Sequence, residues 1–281
     1  MKKAFLFAGQ GAQTPGMACE LDSARVKELF DAAERVHPGI RALMESGTPE
    51  ALAITANTQP CMFVADLAYA IDREEKEGAP EAVCGFSVGE VPALVYAKAL
   101  GVEDGLKIIE KRAALMQKAC EKTGGAMIAV IGLTPAEAEE IAQNTGAWAA
   151  NYNAPKQTVL AVTNDKVDAL KAAVAEKKGR AIPLKVSGAF HCPLLSEAAK
   201  EFEAYLNTFT FKAPAIPVYA NLTGQPYEGD SAQMAHTLAM QMCSPVRFTQ
   251  TVANMKENGI EQYDEVGPGK VLTGLVAKIF G

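Results

Sequence analysis

Ala82-Val83-Cys84-Gly85-Phe86-Ser87-Val88-Gly89-Glu90 contains a Gly-x-Ser-x-Gly sequence that follows a short apolar run. Apolar residues then recur at helical spacing, at Ala93, Leu94, Ala97 and Leu100. This context is typical of a nucleophile elbow, in which glycines let the backbone turn sharply and place the serine hydroxyl at the positive end of a helix. The stretch predicts a strand, a sharp turn and a helix, with Ser87 as a nucleophile. A turn that merely contains a serine is the alternative.

Two further apolar runs lead into glycine-rich turns in the same way. Residues 4–8 precede Gly9-Gln10-Gly11-Ala12-Gln13, and residues 262–266 precede Gly267-Pro268-Gly269 and another helical pattern. Strands that alternate with helices imply a parallel sheet, because a parallel connection needs a crossover element. We therefore predict an α/β protein with an α/β-hydrolase-like parallel-sheet core.

Between Gly124 and Gly188 the predicted elements follow a different order. They are a strand at 126–131, a helix at 136–143, strands at 147–152 and 158–162, a helix at 166–177 and a strand at 181–184. The order β-α-β-β-α-β is that of the ferredoxin-like unit. We predict a small inserted ferredoxin-like subdomain over 124–188 and a large α/β catalytic subdomain formed by 1–123 and 189–281, with a cleft where they meet.

The overall composition limits the function classes. The 281 residues are 49% hydrophobic and 21% charged, with a net charge of −6, which is typical of a globular protein and argues against a protein that mainly binds nucleic acid. No apolar stretch approaches the ~20 residues of a membrane span. The six cysteines include no Cys-x-x-Cys pair, so we expect free thiols, a cytoplasmic protein and no metal site.

A serine nucleophile needs a base, and the chain has three histidines. His191 lies in the short loop Ala189-Phe190-His191-Cys192-Pro193, which leaves the inserted subdomain at the edge of the predicted cleft. His37 precedes a proline in a polar turn, and His236 lies among apolar residues typical of a packed helix, so both are interpreted as structural. His191 is the predicted base, and a surface imidazole in a loop is the alternative.

Arg112 lies on the apolar face of a predicted helix over 104–120, four residues after Ile108 and four before Met116. Because an unpaired buried guanidinium is costly, we expect it to have an anionic partner. The partner is either a structural Asp or Glu or the carboxylate of a substrate, which the two-pronged guanidinium is suited to bind.

Ordered motifs occur along nearly the whole chain. They are Gly9-Gln10-Gly11-Ala12-Gln13, Asn57-Thr58-Gln59-Pro60, Gly85 to Glu90, the helix from Arg112 to Gln117, Asn153-Ala154-Pro155, Ala189-Phe190-His191, Gln241 to Val246 and Val266-Gly267-Pro268-Gly269. They resemble the motifs of the malonyl-coenzyme A:acyl carrier protein transacylases, which load malonyl groups for fatty-acid or polyketide synthesis. The resemblance also implies the ferredoxin-like insert.

The resemblance implies a chemical role at several matching positions. Ser87 would attack the thioester of malonyl-coenzyme A and His191 would take the serine proton. The backbone carbonyl of Gln241 would orient the histidine ring, so the site would be a dyad without an acidic third member. The backbone N–H groups of Gln10 and Val88 would form the oxyanion hole.

Five further positions are implied to bind the substrate. Arg112 would hold the free carboxylate of the malonyl group, with Met116 and Gln59 lining that pocket. Asn153 would lie near the coenzyme A arm. Phe190 resembles the form of the family that prefers malonyl over bulkier methylmalonyl units.

Two positions depart from the usual family pattern. Phe86 stands where the family more often has histidine, which changes the wall beside the nucleophile. Cys192 replaces a more usual serine after the histidine.

These inferences predict a ping-pong transferase that moves malonyl from coenzyme A to Ser87 and then to the phosphopantetheine thiol of an acyl carrier protein. A serine hydrolase is the first alternative, because an elbow also serves acyl transfer to water. A non-catalytic acyl-binding protein is the second.

The predicted partner is an acyl carrier protein. Acyl carrier proteins are strongly acidic, so docking on this acidic chain would need a local basic rim. The candidate residues are Lys177, Lys178, Arg180 and Lys185; a solvated helix end is the alternative. We expect a monomer with no cofactor of its own and no nucleic-acid or membrane partner.

Overall fold

Two sheets organise the protein in the computed structural model, which describes residues 1–186 and 188–281. Ser187, near the predicted end of the inserted subdomain, lies outside the described residues. In chain order the elements are β1 (Lys2–Phe7), α1 (Ala24–Val36), α2 (Ile40–Ser46), α3 (Pro49–Ala53), α4 (Thr55–Glu77), β2 (Ala82–Gly85), α5 (Glu90–Tyr96), α6 (Val102–Thr123), β3 (Ala126–Ile131), α7 (Pro135–Thr145), β4 (Trp148–Ala154), β5 (Gln157–Val162), α8 (Val167–Glu176), β6 (Arg180–Pro183), α9 (Ser196–Leu206), β7 (Val218–Tyr219), α10 (Ser231–Gln241), α11 (Phe248–Glu257), β8 (Ile260–Val266) and α12 (Val271–Phe280).

The first sheet has the strand order β7-β2-β1-β8, and all of its neighbouring strands are parallel. Successive residues of β1 point to opposite faces and enter different apolar clusters: Phe5 and Phe7 belong to one, Ala4 and Leu6 to the other. Both faces are therefore covered, as in parallel sheets generally. The predicted parallel α/β core is confirmed.

The second sheet is antiparallel, with the strand order β4-β5-β3-β6. In the chain its elements follow the order β3-α7-β4-β5-α8-β6, which is the predicted ferredoxin-like order. The first helix begins where the sequence indicates, since the Thr134 side chain caps α7 and Glu137 completes a capping box. The ferredoxin-like insert is confirmed, whereas the exact subdomain boundaries, 124–188 against 1–123 and 189–281, stay a prediction.

The insert is bonded to the larger sheet region through the edge of β4. The N–H of Tyr152 donates to the carbonyl of Val246 at 2.9 Å, and the N–H of Val246 donates to the carbonyl of Ala150 at 2.8 Å. Met127 and Val159 on the second sheet also share the apolar cluster that contains Phe7. These contacts fix the insert beside the carboxyl end of β2, where the elbow begins.

The elbow itself is formed by a close crossing of backbones. A Cβ on Gly85 would lie 1.9 Å from the carbonyl carbon of Gly89, and a Cβ on Gly89 would lie 2.4 Å from the carbonyl oxygen of Phe7. The N–H of Phe86 also donates to that oxygen at 3.0 Å. Contact with the neighbouring backbone therefore requires glycine at 85 and 89.

No described helix is both long and apolar enough to cross a membrane.

Replacing Gly85 with Ala is expected to lower the free energy of unfolding by about 1 to 3 kcal/mol, because the added methyl group overlaps the backbone of Gly89. Urea unfolding followed by circular dichroism measures the change. Gly274→Ala in α12 is the matched control, since its added Cβ would meet no side chain or backbone of a neighbouring element within 4 Å and alanine favours the helix. Equal free energies of unfolding for the two variants would show that the elbow does not need the close approach of the Gly85 and Gly89 backbones.

Candidate active site

Ser87 and His191 come together from opposite sides of the pocket. The Ser87 hydroxyl oxygen, Oγ, lies 2.7 Å from Nε2 of His191, and Nδ1 of His191 lies 2.9 Å from the backbone carbonyl oxygen of Gln241. A carbonyl oxygen only accepts hydrogen bonds, so Nδ1 carries the proton and Nε2 is free to accept one from Ser87. The arrangement provides a hydroxyl and a base in hydrogen-bonding contact.

The backbone at both residues adopts an uncommon conformation. The φ angle is +56° at Ser87 and +55° at His191, in the left-handed region that non-glycine residues rarely occupy. Ser87 opens a 3-10 turn, Ser87–Gly89, that leads into α5, so its side chain sits at the amino end of a helical segment. The sequence prediction of an elbow at Ser87 agrees with this geometry.

Burial keeps the imidazole of His191 neutral. The residue is only 3% exposed, and loss of hydration together with the positive charge of Arg112 lowers the pKa of His191 to about 4. The imidazole is thus an unprotonated base over the neutral pH range.

Arg112 extends from α6 into the same site and is fully buried. Its Nη2 donates to Oγ of Ser87 at 3.1 Å and to Oε1 of Gln241 at 2.8 Å, and its Nη1 donates to Oε1 of Gln59 at 2.8 Å. All of these acceptors are neutral. No Asp or Glu within the described ranges forms an ion pair with Arg112, and its Nε has no hydrogen-bond partner there. The structural ion pair that the sequence left open is not observed.

A polar network beneath the elbow was not predicted from the sequence. Asn221, just after β7, accepts a hydrogen bond from the Ser87 N–H at 2.7 Å and donates to the carbonyl of Gly85 at 2.6 Å. The Gln241 side chain donates to the carbonyl of Ser87 at 2.8 Å. These bonds hold the elbow on both sides.

Glu90 lies at the centre of that network and is fully buried. Its Oε2 accepts from Nε2 of Gln241 at 2.7 Å and from the N–H of Asn221 at 3.2 Å, while the hydroxyl of Tyr227 donates to Oε1. Burial raises the pKa of Glu90 to about 7. The only sequence signal for Glu90 was its place at the end of the elbow motif, whereas Asn221 and Tyr227 gave none.

A pocket of about 80 Å³ opens beside the Ser87 hydroxyl. The predicted residues that line it are Ser87, His191, Gln10, Met116, Phe190 and Phe86; Met127, Asn151, Leu184 and Val186 were not predicted. Most of this lining is apolar and comes from both subdomains. The pocket occupies the predicted cleft and is sized for a small acyl group.

Two predicted substrate residues besides Arg112 do not line the pocket. Gln59 is buried in α4, where it accepts from Arg112 and donates to the Met116 sulfur at 3.3 Å, so it supports the wall without lining it. Asn153 is also buried and does not line the pocket; Asn151, two residues earlier on β4, does. The sequence predicts a strand that ends at 152, before Asn153, but β4 continues to Ala154.

The two predicted oxyanion donors belong to loops that adjoin each other. Gln10 lines the pocket with Ser87, and Val88 lies in the first turn of the helical segment, where backbone N–H groups lack intrahelical acceptors. A Cβ at Gly9 would lie 3.0 Å from the Phe86 carbonyl oxygen, which shows how closely the loops approach.

The other two histidines pair with glutamates. His37 lies 2.6 Å from Glu110 and His236 lies 2.9 Å from Glu203, and neither lines the pocket beside Ser87. Their interpretation as structural residues stays a prediction; His236 is exposed rather than packed.

Comparison with known proteins identifies the family. The acyl transferase domain family matches residues 4–279. The chain belongs to the acyl transferase domain family. The malonyl CoA-acyl carrier protein transacylase of Escherichia coli K12 is 37% identical over 289 residues, covering 98% of this chain and 92% of that protein. The polyketide biosynthesis protein ThaF of Burkholderia thailandensis is 40% identical and covers 98% of this chain, which spans about a quarter (24%) of that longer protein.

A solved structure supports the same family assignment. It is a malonyl-transacylase in complex with its type II polyketide acyl carrier protein, and it matches with a TM-score of 0.92 and 35% identity over 99% of this chain and 93% of that chain. This acyltransferase therefore has the fold of the malonyl transacylases, including both sheets.

Labelling of Ser87 by a serine-directed fluorophosphonate is expected to be independent of pH from about 8 down to about 5.5, because the pKa of His191 is lowered to about 4. The rate should fall only as the pH approaches that value and the imidazole becomes protonated. The labelling rate at each pH is obtained from the labelled fraction, followed over time by intact mass spectrometry. The Ser87→Ala protein is the control that should not be labelled. A midpoint near 6.5, the ordinary value for histidine, would contradict the buried neutral base.

Proposed function

We propose that the protein transfers a malonyl group from malonyl-coenzyme A to the phosphopantetheine thiol of an acyl carrier protein through a malonyl ester on Ser87. The observation that carries the proposal is the fully buried Arg112, which touches the nucleophile and whose acceptors in the described part of the chain are all neutral. A free carboxylate on the acyl group is the partner that this guanidinium lacks. An acyl group without a carboxylate, such as acetyl, would leave the charge of Arg112 without an anionic partner on the substrate.

The first half-reaction uses the dyad. Nε2 of His191 accepts the Ser87 proton as Oγ attacks the thioester carbonyl, and the protonated imidazole then gives the proton to the departing coenzyme A sulfur. The carbonyl of Gln241 holds the ring in the tautomer that this requires. The products are the malonyl ester of Ser87 and free coenzyme A.

The second half-reaction repeats the chemistry with a different thiol. His191 takes the proton of the carrier's phosphopantetheine thiol, the sulfur attacks the ester, and the proton returns to Oγ of Ser87. In both halves the backbone N–H groups of Gln10 and Val88 would stabilise the negative oxygen of the tetrahedral intermediate. No step needs a metal or cofactor from the protein.

The substrate carboxylate would replace neutral partners of Arg112. Nη2 lies 3.1 Å from the Ser87 hydroxyl, and in a malonyl ester a single methylene group separates the carboxylate from the ester carbonyl. A carboxylate at that position is within reach of the guanidinium, which lies beside Ser87. Met116 and Phe190 would limit the space available to a bulkier acyl chain.

The carrier protein would approach from the side of the insert. Lys178, Arg180 and Lys185 are exposed there, whereas Lys177 is engaged with Glu140. Such a basic rim suits an acidic carrier protein. We place the reaction in the cytoplasm, in fatty-acid or polyketide synthesis.

Replacing Ser87 with Ala is expected to abolish the covalent malonyl adduct, because no other group takes the place of its Oγ beside His191. Intact mass after mixing with malonyl-coenzyme A detects the adduct, and Ser46→Ala on the exposed end of α2 is the control. In the wild-type protein without carrier, released coenzyme A should stop near one equivalent. Continued release of coenzyme A would favour the hydrolase alternative. A malonyl adduct in the Ser87→Ala protein would show that another residue is the nucleophile.

Replacing Arg112 with Ala is expected to weaken malonyl transfer relative to acetyl transfer by about 2 to 5 kcal/mol, because only malonyl supplies a carboxylate to the buried guanidinium. The ratio of kcat/KM for the two donors is the measurement, since general loss of folded protein cancels in it. Lys111→Ala is the control, since the Lys111 side chain pairs with Glu201 instead of entering the site. Equal losses for both donors would remove the carboxylate role from Arg112.

A further inference from the structure

Arg112 and Glu90 are linked through one amide side chain. Nη2 of Arg112 donates to Oε1 of Gln241 at 2.8 Å, and Nε2 of the same amide donates to Oε2 of Glu90 at 2.7 Å. All three side chains are at most 1% exposed. The amide therefore connects a buried cation to a buried carboxyl group without direct contact between them.

Among the described residues, Arg112 is the one cation that influences Glu90. The titratable groups that face it are Cys84 at the end of β2, Tyr227 from the segment after β7 and Arg112 from α6, while Gln241 from α10 and Asn221 contribute neutral amides. His191 is influenced by Arg112 and is itself neutral. Glu90 is thus the carboxylate that offsets the charge of Arg112 when the site is empty.

A malonyl carboxylate bound to Arg112 changes this balance. Two negative charges would then share one guanidinium in a region from which water is largely excluded, and like charges in such a place disfavour joint ionisation. Burial already holds the pKa of Glu90 at about 7, and the charge of Arg112 is among the influences that lower it. Neutralising Arg112 with a second carboxylate would raise that pKa further.

We propose that Glu90 is an exchangeable counter-ion of Arg112, which takes up a proton from solvent when the malonyl carboxylate binds and releases it when the malonyl group leaves. The inference rests on the proposed function, since it requires a carboxylate on the acyl group. Glu90 acts through Gln241 and Arg112, so it is a positioning residue rather than one that touches substrate.

The hydrogen bonds around Glu90 allow this protonation if one of them, the bond to Tyr227, reverses and the phenol hydrogen turns away from the carboxyl. Oε2 accepts from Gln241 and Asn221 and must remain an acceptor, but Oε1 contacts the hydroxyl of Tyr227. A hydroxyl can accept as well as donate, so the proton can reside on Oε1 and the bond to Tyr227 reverses its direction. The network that holds the elbow therefore stays in place in both protonation states.

The test counts protons on binding. The Ser87→Ala protein is titrated with malonyl-coenzyme A in a calorimeter, in buffers of different ionisation enthalpy. This gives the number of protons taken up on binding, because the variant cannot form the malonyl ester. We expect about half a proton per site at pH 7, less at pH 6 and close to one at pH 8, because Glu90 must be ionised beforehand to accept a proton. The affinity for malonyl-coenzyme A should weaken by up to about tenfold per pH unit above 7.

Acetyl-coenzyme A and two variants complete the test. Acetyl-coenzyme A has the same phosphates and no carboxylate, so its proton count should be near zero after the same buffer correction. Added to the Ser87→Ala protein, Glu90→Gln should abolish the uptake of protons with malonyl-coenzyme A, whereas Glu50→Gln, exposed on α3, should keep it. If Glu90→Gln does not fold, Tyr227→Phe provides the second variant. It removes a hydrogen bond to the charged carboxyl, which moves the midpoint of uptake to higher pH.

The outcomes separate this inference from the proposed function. Wild-type protein that forms the malonyl adduct while the titration shows no uptake, or equal uptake with acetyl-coenzyme A, overturns the role of Glu90 alone. Uptake that persists in Glu90→Gln also overturns it and assigns the proton to His191. Failure of the wild-type protein to form any malonyl adduct overturns the proposed function instead.

Discussion

The site depends on one strained backbone position, Ser87, being held at both of its peptide groups. A φ of +56° costs a non-glycine residue roughly 1 to 3 kcal/mol and persists only where its surroundings enforce it. Asn221 and Gln241 do so by binding the N–H and the carbonyl of Ser87. Gln241 also binds Arg112 with its side chain and orients His191 with its backbone carbonyl. One glutamine therefore positions nucleophile, base and guanidinium relative to one another.

The choice of amides around Arg112 has an electrostatic reason. A carboxylate at position 59 or 241 would neutralise the guanidinium permanently and would repel an incoming carboxylate. The oxygens of Gln59 and Gln241 satisfy the N–H donors of Arg112 while leaving its charge available. The counter-charge on Glu90 is placed one amide further away. The hydrogen bonds to these amides thus offset the cost of burying the guanidinium, and its charge can still bind an anionic ligand.

The features that sequence predicted are those encoded locally. Ser87 stands in a five-residue motif, and Arg112 is a charged residue on the apolar face of a predicted helix. The order of strands and helices in the insert follows from the spacing of its apolar residues. Asn221 could not be found this way, because it lies 134 residues from Ser87 along the chain and meets it only in the fold. Asn151 was missed for a different reason: the pairing of β4 with β5 shifts register on both sides of it, so simple alternation does not say which asparagine faces the pocket.

The two departures from the family pattern can be understood as packing choices. Phe86 lies edge-on to Phe248, with ring centres 5.5 Å apart, and a Cβ at position 9 would come within 2.9 Å of its ring. The ring therefore fixes the loop that carries Gln10, through an apolar contact where an imidazole would need a polar partner. Cys192 is buried, and its thiol donates to the carbonyl of Ala189 at 3.7 Å across the turn at His191. The long reach of the sulfur thus provides a bond across the turn that presents the base.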